Sequence, residues 1–127
     1  MERVAKFCAN HAKDHPFKRE GLRDYFEYRD LGIKEATGGR YHAHLARAIR
    51  GSDEPIGGRH FHDCDIQMIF FTKGWLKAEY DGIGVVEFTA GSCLHNPPGN
   101  PHLVLSFSDD LEFLELTSPA DYGTVDA

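Results

Sequence analysis

From residue 38 onward, short runs of apolar and aromatic residues alternate with turn-forming residues at a spacing of about ten residues. Valine, isoleucine, phenylalanine and tyrosine suit half-buried strands, and glycine or proline interrupts them. The pair Asp81–Gly82 is typical of a hairpin turn. The pattern therefore predicts an all-β sandwich or barrel. Its strand candidates cover residues 40–49, 59–62, 66–74, 75–82, 84–91, 103–108 and 111–118.

The two ends of the chain lack this pattern. Residues 1–37 are the most polar part and show no clean periodicity, so we expect an N-terminal arm, or a short helix, packed against the barrel or a neighbouring subunit. Residues 119–127 are predicted to be a C-terminal tail. A chain of 127 residues suffices for one domain with one core, which places the barrel at residues 38–118.

Charge and cysteine content limit the classes of partner. A formal net charge of −6 argues against nucleic acid and against an anionic membrane surface, because both attract basic proteins. The N-terminal stretch has no apolar run of the length that a signal peptide or a membrane span requires. Cys8, Cys64 and Cys93 are odd in number and widely spaced, which predicts free thiols and a cytoplasmic protein.

Histidines are concentrated where chemistry is expected. Residues two apart on a strand share a face, so His60 and His62 point the same way, and Gln67 begins the next strand. His102 follows a Pro-Pro-Gly turn at residues 97–99. A His-x-His pair alone is as often ordinary surface chemistry as a ligand pair. The added glutamine and the third histidine change that weighing, because together with the pair they complete a known pattern.

Residues 60–106 resemble the two signature motifs of the cupin superfamily, and the chain is similar to its small single-domain bacterial members. His60, His62, Gln67 and Gly74 match the first motif, and Gly91, Pro97, Gly99 and His102 match the second. Three positions depart from the motifs. Glu54 replaces a leading glycine, Ser106 replaces a closing asparagine, and Gln67 replaces the glutamate that usually completes the metal site.

The resemblance implies a jelly-roll barrel, also called a double-stranded β-helix, that encloses a cavity. It also implies that His60, His62, Gln67 and His102 bind one divalent transition metal: iron, nickel, manganese, copper or zinc. An amide in place of a carboxylate leaves such a centre at a charge of about +2 and favours anionic ligands. The alternative is a barrel with weak or no metal occupancy, in which Gln67 is a buried hydrogen-bond partner.

A glutamine cannot act as a general base, so any proton transfer needs another group. His95 and His44 are the candidates, although a structural or rim position for His95 and an exposed or core position for the His42/His44 pair remain alternatives. Glu115 could point inward, but Leu114 and Leu116 compete for that face.

The sequence predicts a mononuclear metal-dependent enzyme, dioxygenase-like or a lyase, that acts on a small organic anion. A non-catalytic module that binds a small molecule or a metal is the alternative, and an empty barrel is a third. Met68 and Phe70 face away from Gln67, and large apolar residues on an outer face normally mark contact surfaces. We therefore expect a homodimer.

Overall fold

The computed structural model describes residues 5–19 and 25–127. Strands dominate this part of the chain, which confirms the predicted all-β class, and helical structure is limited to a 3₁₀ turn at Ala12–Asp14 and the one-turn helix α1 at Ile33–Ala36. The described strands are β1 (Phe26–Asp30), β2 (His42–Ala48), β3 (Ile56–Asp63), β4 (Ile66–Lys73), β5 (Trp75–Tyr80), β6 (Gly84–Thr89), β7 (Cys93–His95), β8 (His102–Phe107), β9 (Glu112–Ser118) and β10 (Gly123–Asp126).

The described strands form two antiparallel sheets of five strands each. One sheet has the order β1-β2-β9-β4-β7 and the other has the order β10-β3-β8-β5-β6. Strands β2 to β5 alternate between the sheets, so the chain crosses the barrel repeatedly instead of finishing one sheet before starting the next. This is the arrangement of a jelly roll and confirms the predicted barrel.

The strands observed between residues 42 and 118 overlap the predicted runs with two differences: β3 begins at Ile56, before the predicted run 59–62, and β7 (Cys93–His95) lies outside every predicted run. The Asp81–Gly82 hairpin is also present, with Tyr80 paired to Gly84 and Gly82 at a φ of +78°. The terminal segments add a strand each to the sheets: β1 pairs with β2, and β10 pairs with β3. Residues 1–4 and 20–24 of the predicted arm lie outside the described residues.

An aromatic core fills the space between the two sheets. The rings of Phe71 and Phe88 stack at a centroid distance of 4.8 Å, and Phe113 packs against Phe71 at 5.8 Å. Phe26 contacts Phe107 at 5.2 Å and so brings β1 into the same core. These side chains are buried because alternate residues on each strand face inward, and large apolar rings gain most from leaving water.

Strand β4 shows this alternation clearly. Gln67 and Phe71 are buried, whereas the intervening Phe70 is 40% exposed on the outer face, as the sequence predicts. None of the described helices has the length and apolar character needed to cross a membrane.

Strand β3 is irregular before it reaches its histidines. Its pairing with β8 shifts register between Ile56 and His60, and Gly57 and Gly58 in the shifted segment adopt positive φ angles of 73° and 68°. Glycine suits such a bulge because it lacks a Cβ. The shift sets His60 directly opposite His102.

Candidate metal centre

Three histidines meet on the inner face of one sheet. His60 and His62 lie two residues apart on β3, and His102 opens the neighbouring strand β8. One ring nitrogen of each lies within 4.8 Å of the corresponding nitrogens of the other two. Among the described residues, this is the group of histidine, cysteine and acidic side chains whose geometry suits a metal ion.

A backbone carbonyl sets the tautomer of His60. His60 Nδ1 lies 2.9 Å from the Gly58 carbonyl oxygen, which only accepts, so Nδ1 donates its proton there and Nε2 carries the lone pair that a metal requires. His102 Nδ1 lies 3.2 Å from the Asn100 carbonyl oxygen and 3.2 Å from Asn96 Nδ2, and both contacts orient the ring. His62 Nδ1 lies 3.1 Å from the Thr124 hydroxyl on β10. Such outer contacts orient metal-binding imidazoles in proteins.

Side chains of the turn before β8 and of β5 pack around His102. Asn96 is buried, and its side chain exchanges hydrogen bonds with Asn100 across the Pro-Pro-Gly turn. The ring of Tyr80 stacks on His102 at a centroid distance of 5.7 Å. Burial raises the pKa of Tyr80, so its phenol stays neutral. Asn96 and Thr124 were not among the site residues predicted from the sequence.

Gln67, the fourth predicted ligand, lines the same cavity from the opposite sheet and is 6% exposed. Its Nε2 donates a hydrogen bond of 2.7 Å to Glu115 Oε2. Glu115 lies on β9, the strand between β2 and β4, and faces inward, which resolves its competition with Leu114 and Leu116.

Glu115 also binds His44. Its Oε1 lies 2.8 Å from His44 Nε2, and His44 Nδ1 lies 3.1 Å from His42 Nε2. Burial raises the pKa of Glu115, but the hydrogen bond and charge of His44, together with Gln67 and His62, lower it by more, so the carboxylate is ionised. Burial and the neighbouring His44 lower the pKa of His42, with partial compensation from nearby acidic groups.

The two histidines considered for proton transfer occupy different places. His44 lines the cavity, with both ring nitrogens engaged by Glu115 and His42. His95 is exposed on β7 and is absent from the cavity wall. This position agrees with the structural or rim alternative for His95.

The histidines and Gln67 border a cavity of about 640 Å³. One part of its wall is apolar and continuous with the core; this part includes Ile69, Phe71, Leu94, Val104 and Phe113. Lys34 and Asp121 also line the cavity, and their ion pair of 2.8 Å lies in its solvent-exposed part. A ligand in this cavity would meet polar groups at one end and apolar groups at the other.

The three histidines fit a divalent transition metal. Imidazole nitrogens are preferred ligands of zinc, copper, iron and nickel, and His60 has its lone pair on Nε2. An ionised carboxylate lies one side chain away, which lowers the charge of a divalent centre and its surroundings from +2 to about +1. The charge of about +2 predicted for the centre from its three histidines and Gln67 did not include the carboxylate of Glu115.

No family model and no curated protein matches the chain. The fold does match solved structures of jelly-roll proteins. The polyketide cyclase RemF from Streptomyces resistomycificus superposes with a TM-score of 0.70 at 18% identity, over 96% of this chain and 86% of the other. KdgF from Halomonas sp. gives a TM-score of 0.67 at 18% identity, over 90% of this chain and 94% of the other.

A third match is a member of a named superfamily. The sugar phosphate isomerase from a cupin superfamily of Silicibacter pomeroyi superposes with a TM-score of 0.68 at 17% identity, over 87% of this chain and 74% of the other. The two sheets and the histidine cluster define a jelly-roll protein with a candidate metal centre. The chain has the fold of a small cupin, as the sequence resemblance implied.

Proposed function

We propose that the protein is a mononuclear metal-dependent enzyme that acts on a small organic anion. The observation that carries the proposal is the convergence of His60, His62 and His102 on the wall of an accessible cavity. Gln67 would complete the ligand set from the facing sheet. The reaction classes that we favour are a dioxygenase-like oxidation and a lyase reaction.

A bound divalent metal would polarise an enolate or carboxylate oxygen and bring a second reactant into contact with it. The chain's own residues would bind and orient the organic ligand. The apolar wall of Ile69, Phe71 and Val104 would exclude water from its carbon skeleton. Lys34 supplies a basic group in the solvent-exposed part of the cavity.

The alternative function is a non-catalytic module that binds a small molecule or a metal. Two observations support it. A neutral amide is a weaker metal ligand than a carboxylate, and both nitrogens of His44 are already engaged, so that ring does not offer a base directly. Turnover separates the two functions.

A cobalt titration followed by a ligand screen tests the proposal. Co²⁺ bound by three imidazoles absorbs visible light, and we expect one ion per chain with a spectrum that changes when an enolisable carboxylate is added. Oxygen uptake or loss of the carboxylate would support the enzyme. A spectral change without any conversion would favour the binding module, and no bound cobalt would overturn both.

We also propose that the protein is a cytoplasmic homodimer. Phe70 is exposed beside Met68 on the outer face of β4, and exposed apolar groups of this kind commonly form contact surfaces. The three cysteines are free, which suits a reducing compartment. Sedimentation at micromolar concentration should give a dimer for the wild type and a monomer for Phe70→Glu. A monomeric wild type would contradict the dimer.

A further inference from the structure

A partly buried hydrogen-bonded chain borders the candidate metal centre on the sheet opposite the three histidines. It runs from His42 to His44, then to Glu115, and ends at Gln67, with contacts of 3.1, 2.8 and 2.7 Å. Neighbouring strands set these contacts, because His44 on β2 lies opposite Glu115 on β9 and Glu115 lies opposite Ile69 on β4. All four side chains line the cavity.

The chemistry of Glu115 fixes the orientation of the Gln67 amide. The contact of 2.7 Å joins Gln67 Nε2 to Glu115 Oε2, and an amide NH₂ group only donates, so the carboxylate oxygen accepts this hydrogen bond. The amide nitrogen and oxygen point in divergent directions from the same carbon. Because its nitrogen donates to Glu115 Oε2, Gln67 turns its carbonyl oxygen away from Glu115.

Both carboxylate oxygens of Glu115 accept hydrogen bonds that fix its position beside Gln67. Oε1 accepts from His44 and Oε2 accepts from Gln67, and each bond is short enough to be strong. A buried charge without partners would be costly, and these two donors stabilise it. The arrangement therefore holds a negative charge beside Gln67 with little freedom to move.

We propose that Glu115 is the positioning residue of the metal centre: it aims the carbonyl oxygen of Gln67 at the ion and supplies negative charge from one side chain behind it. The proposal rests on the proposed metal site. The negative charge that a glutamate ligand would place at position 67 is thus present at position 115. It acts on the ion through the hydrogen bond to Gln67, whose carbonyl oxygen would be the ligand. His44 secures Glu115 from the other side.

The substitution Glu115→Gln separates this role from simple packing, because it preserves shape and removes the charge. The new amide would accept from His44 with its oxygen and present its NH₂ group to Gln67. Gln67 must then rotate so that its own oxygen accepts, which places an NH₂ group where the ligand oxygen was. An NH₂ group does not bind a metal.

The exchange Gln67→Glu/Glu115→Gln supplies the rescue. It keeps one carboxylate, one amide and a hydrogen bond between positions 67 and 115, and the carboxylate now faces the ion. We expect the exchanged protein to bind metal at least as tightly as the wild type. A carboxylate at position 67 is itself a stronger metal ligand than an amide, so the exchanged protein tests whether the charge works from either position, and Glu115→Gln alone tests the role of Glu115.

The measurement is Co²⁺ affinity by calorimetry, with thermal unfolding of the metal-free proteins as a check of folding. We expect affinity to fall about 10- to 100-fold in Glu115→Gln and to recover in the exchanged protein. Glu112→Gln is the matched control, since Glu112 lies on the same strand but pairs with Lys73 outside the cavity wall. Its affinity should equal that of the wild type.

The outcomes distinguish the two proposals. A wild type that binds no Co²⁺ overturns the metal centre itself. A wild type that binds, together with a folded Glu115→Gln whose affinity stays within about threefold, overturns only the role of Glu115. If Glu115→Gln does not fold, Glu115→Asp decides, because it keeps the charge and Gln67 but draws the carboxylate back from the amide: an affinity within about threefold of the wild type contradicts the proposal, and a larger fall supports it.

Discussion

His60 and His102 lie opposite each other on adjacent antiparallel strands, with ring centroids 4.4 Å apart. A metal bound between them and His62 would link β3 to β8. A ligand that binds only the folded state stabilises that state against unfolding. We predict that Co²⁺ raises the free energy of unfolding by about 2.7 kcal/mol at a free concentration of roughly one hundred times the Kd. Thermal scans should show a gain of several degrees. The gain should vanish in His60→Ala, and an equal gain in that variant would contradict the assignment.

The aromatic core should dominate stability. Phe71 is 1% exposed and stacks on Phe88, so Phe71→Ala leaves a large cavity and should cost about 3–5 kcal/mol in urea unfolding. Phe70→Ala, one residue away on the outer face, should cost at most about 1 kcal/mol. Equal costs would show that the inner and outer faces of β4 are wrongly assigned.

Gly74 should tolerate a side chain poorly. Its φ is +72°, and a Cβ there would lie 2.9 Å from Leu111 Cα and would also collide with Ser108 Oγ. Gly74→Ala should therefore cost more than the strain of about 1–2 kcal/mol expected from φ alone. Gly82→Ala is the matched control, since its φ is +78° with open space around the new atom. Unfolding free energies that fall equally would contradict the close contact.

The buried position of His42 should make stability fall in mild acid. Its pKa is lowered from 6.5 by burial and by His44, so the unfolded chain takes up the proton first as the pH drops. The contribution of His42 to the free energy of unfolding is fully present above pH 6.5, and it is lost as the pH falls below that value toward the lowered pKa. The charged and titratable groups around His42 are Asp30, Lys34, His44, Glu115 and Asp121.

The variant His42→Gln tests this dependence. It removes the titrating ring, so its unfolding temperature in the metal-free protein should fall less than that of the wild type between pH 7 and about pH 5. Titrating groups that do not interact with His42 are common to both proteins and cancel in the comparison, so the difference reports His42 together with the groups coupled to it. Parallel pH profiles would contradict the assignment.

The barrel could be predicted from the sequence because the alternation of inner and outer residues can be recognised within each strand by itself. Gln67, Ile69 and Phe71 alternate with Met68 and Phe70, and that period places the glutamine inside without knowledge of any partner. The resemblance of residues 60–106 to the cupin motifs carried the prediction that His60, His62 and His102 meet. These features are local or follow known motifs.

The network around Glu115 could not be predicted in the same way. Glu115 stands between two leucines that suit an inner face equally well, and its contacts depend on the order β2-β9-β4 across the sheet. Thr124 lies in an exposed, polar segment whose strand forms only by pairing with β3. The signal available for Glu115 was its two-residue spacing from the buried Phe113 and Thr117 on β9.

The most direct test of the account is the metal content of the untagged protein, purified without added metal or chelator, beside His102→Ala and the control His95→Ala. His95 is exposed on the preceding strand and lies outside the cavity wall. We predict nearly one transition-metal ion per chain in the wild type and in His95→Ala, and its loss in His102→Ala. Equal metal in all three proteins, or none in any of them, would contradict a metal centre built on His60, His62 and His102.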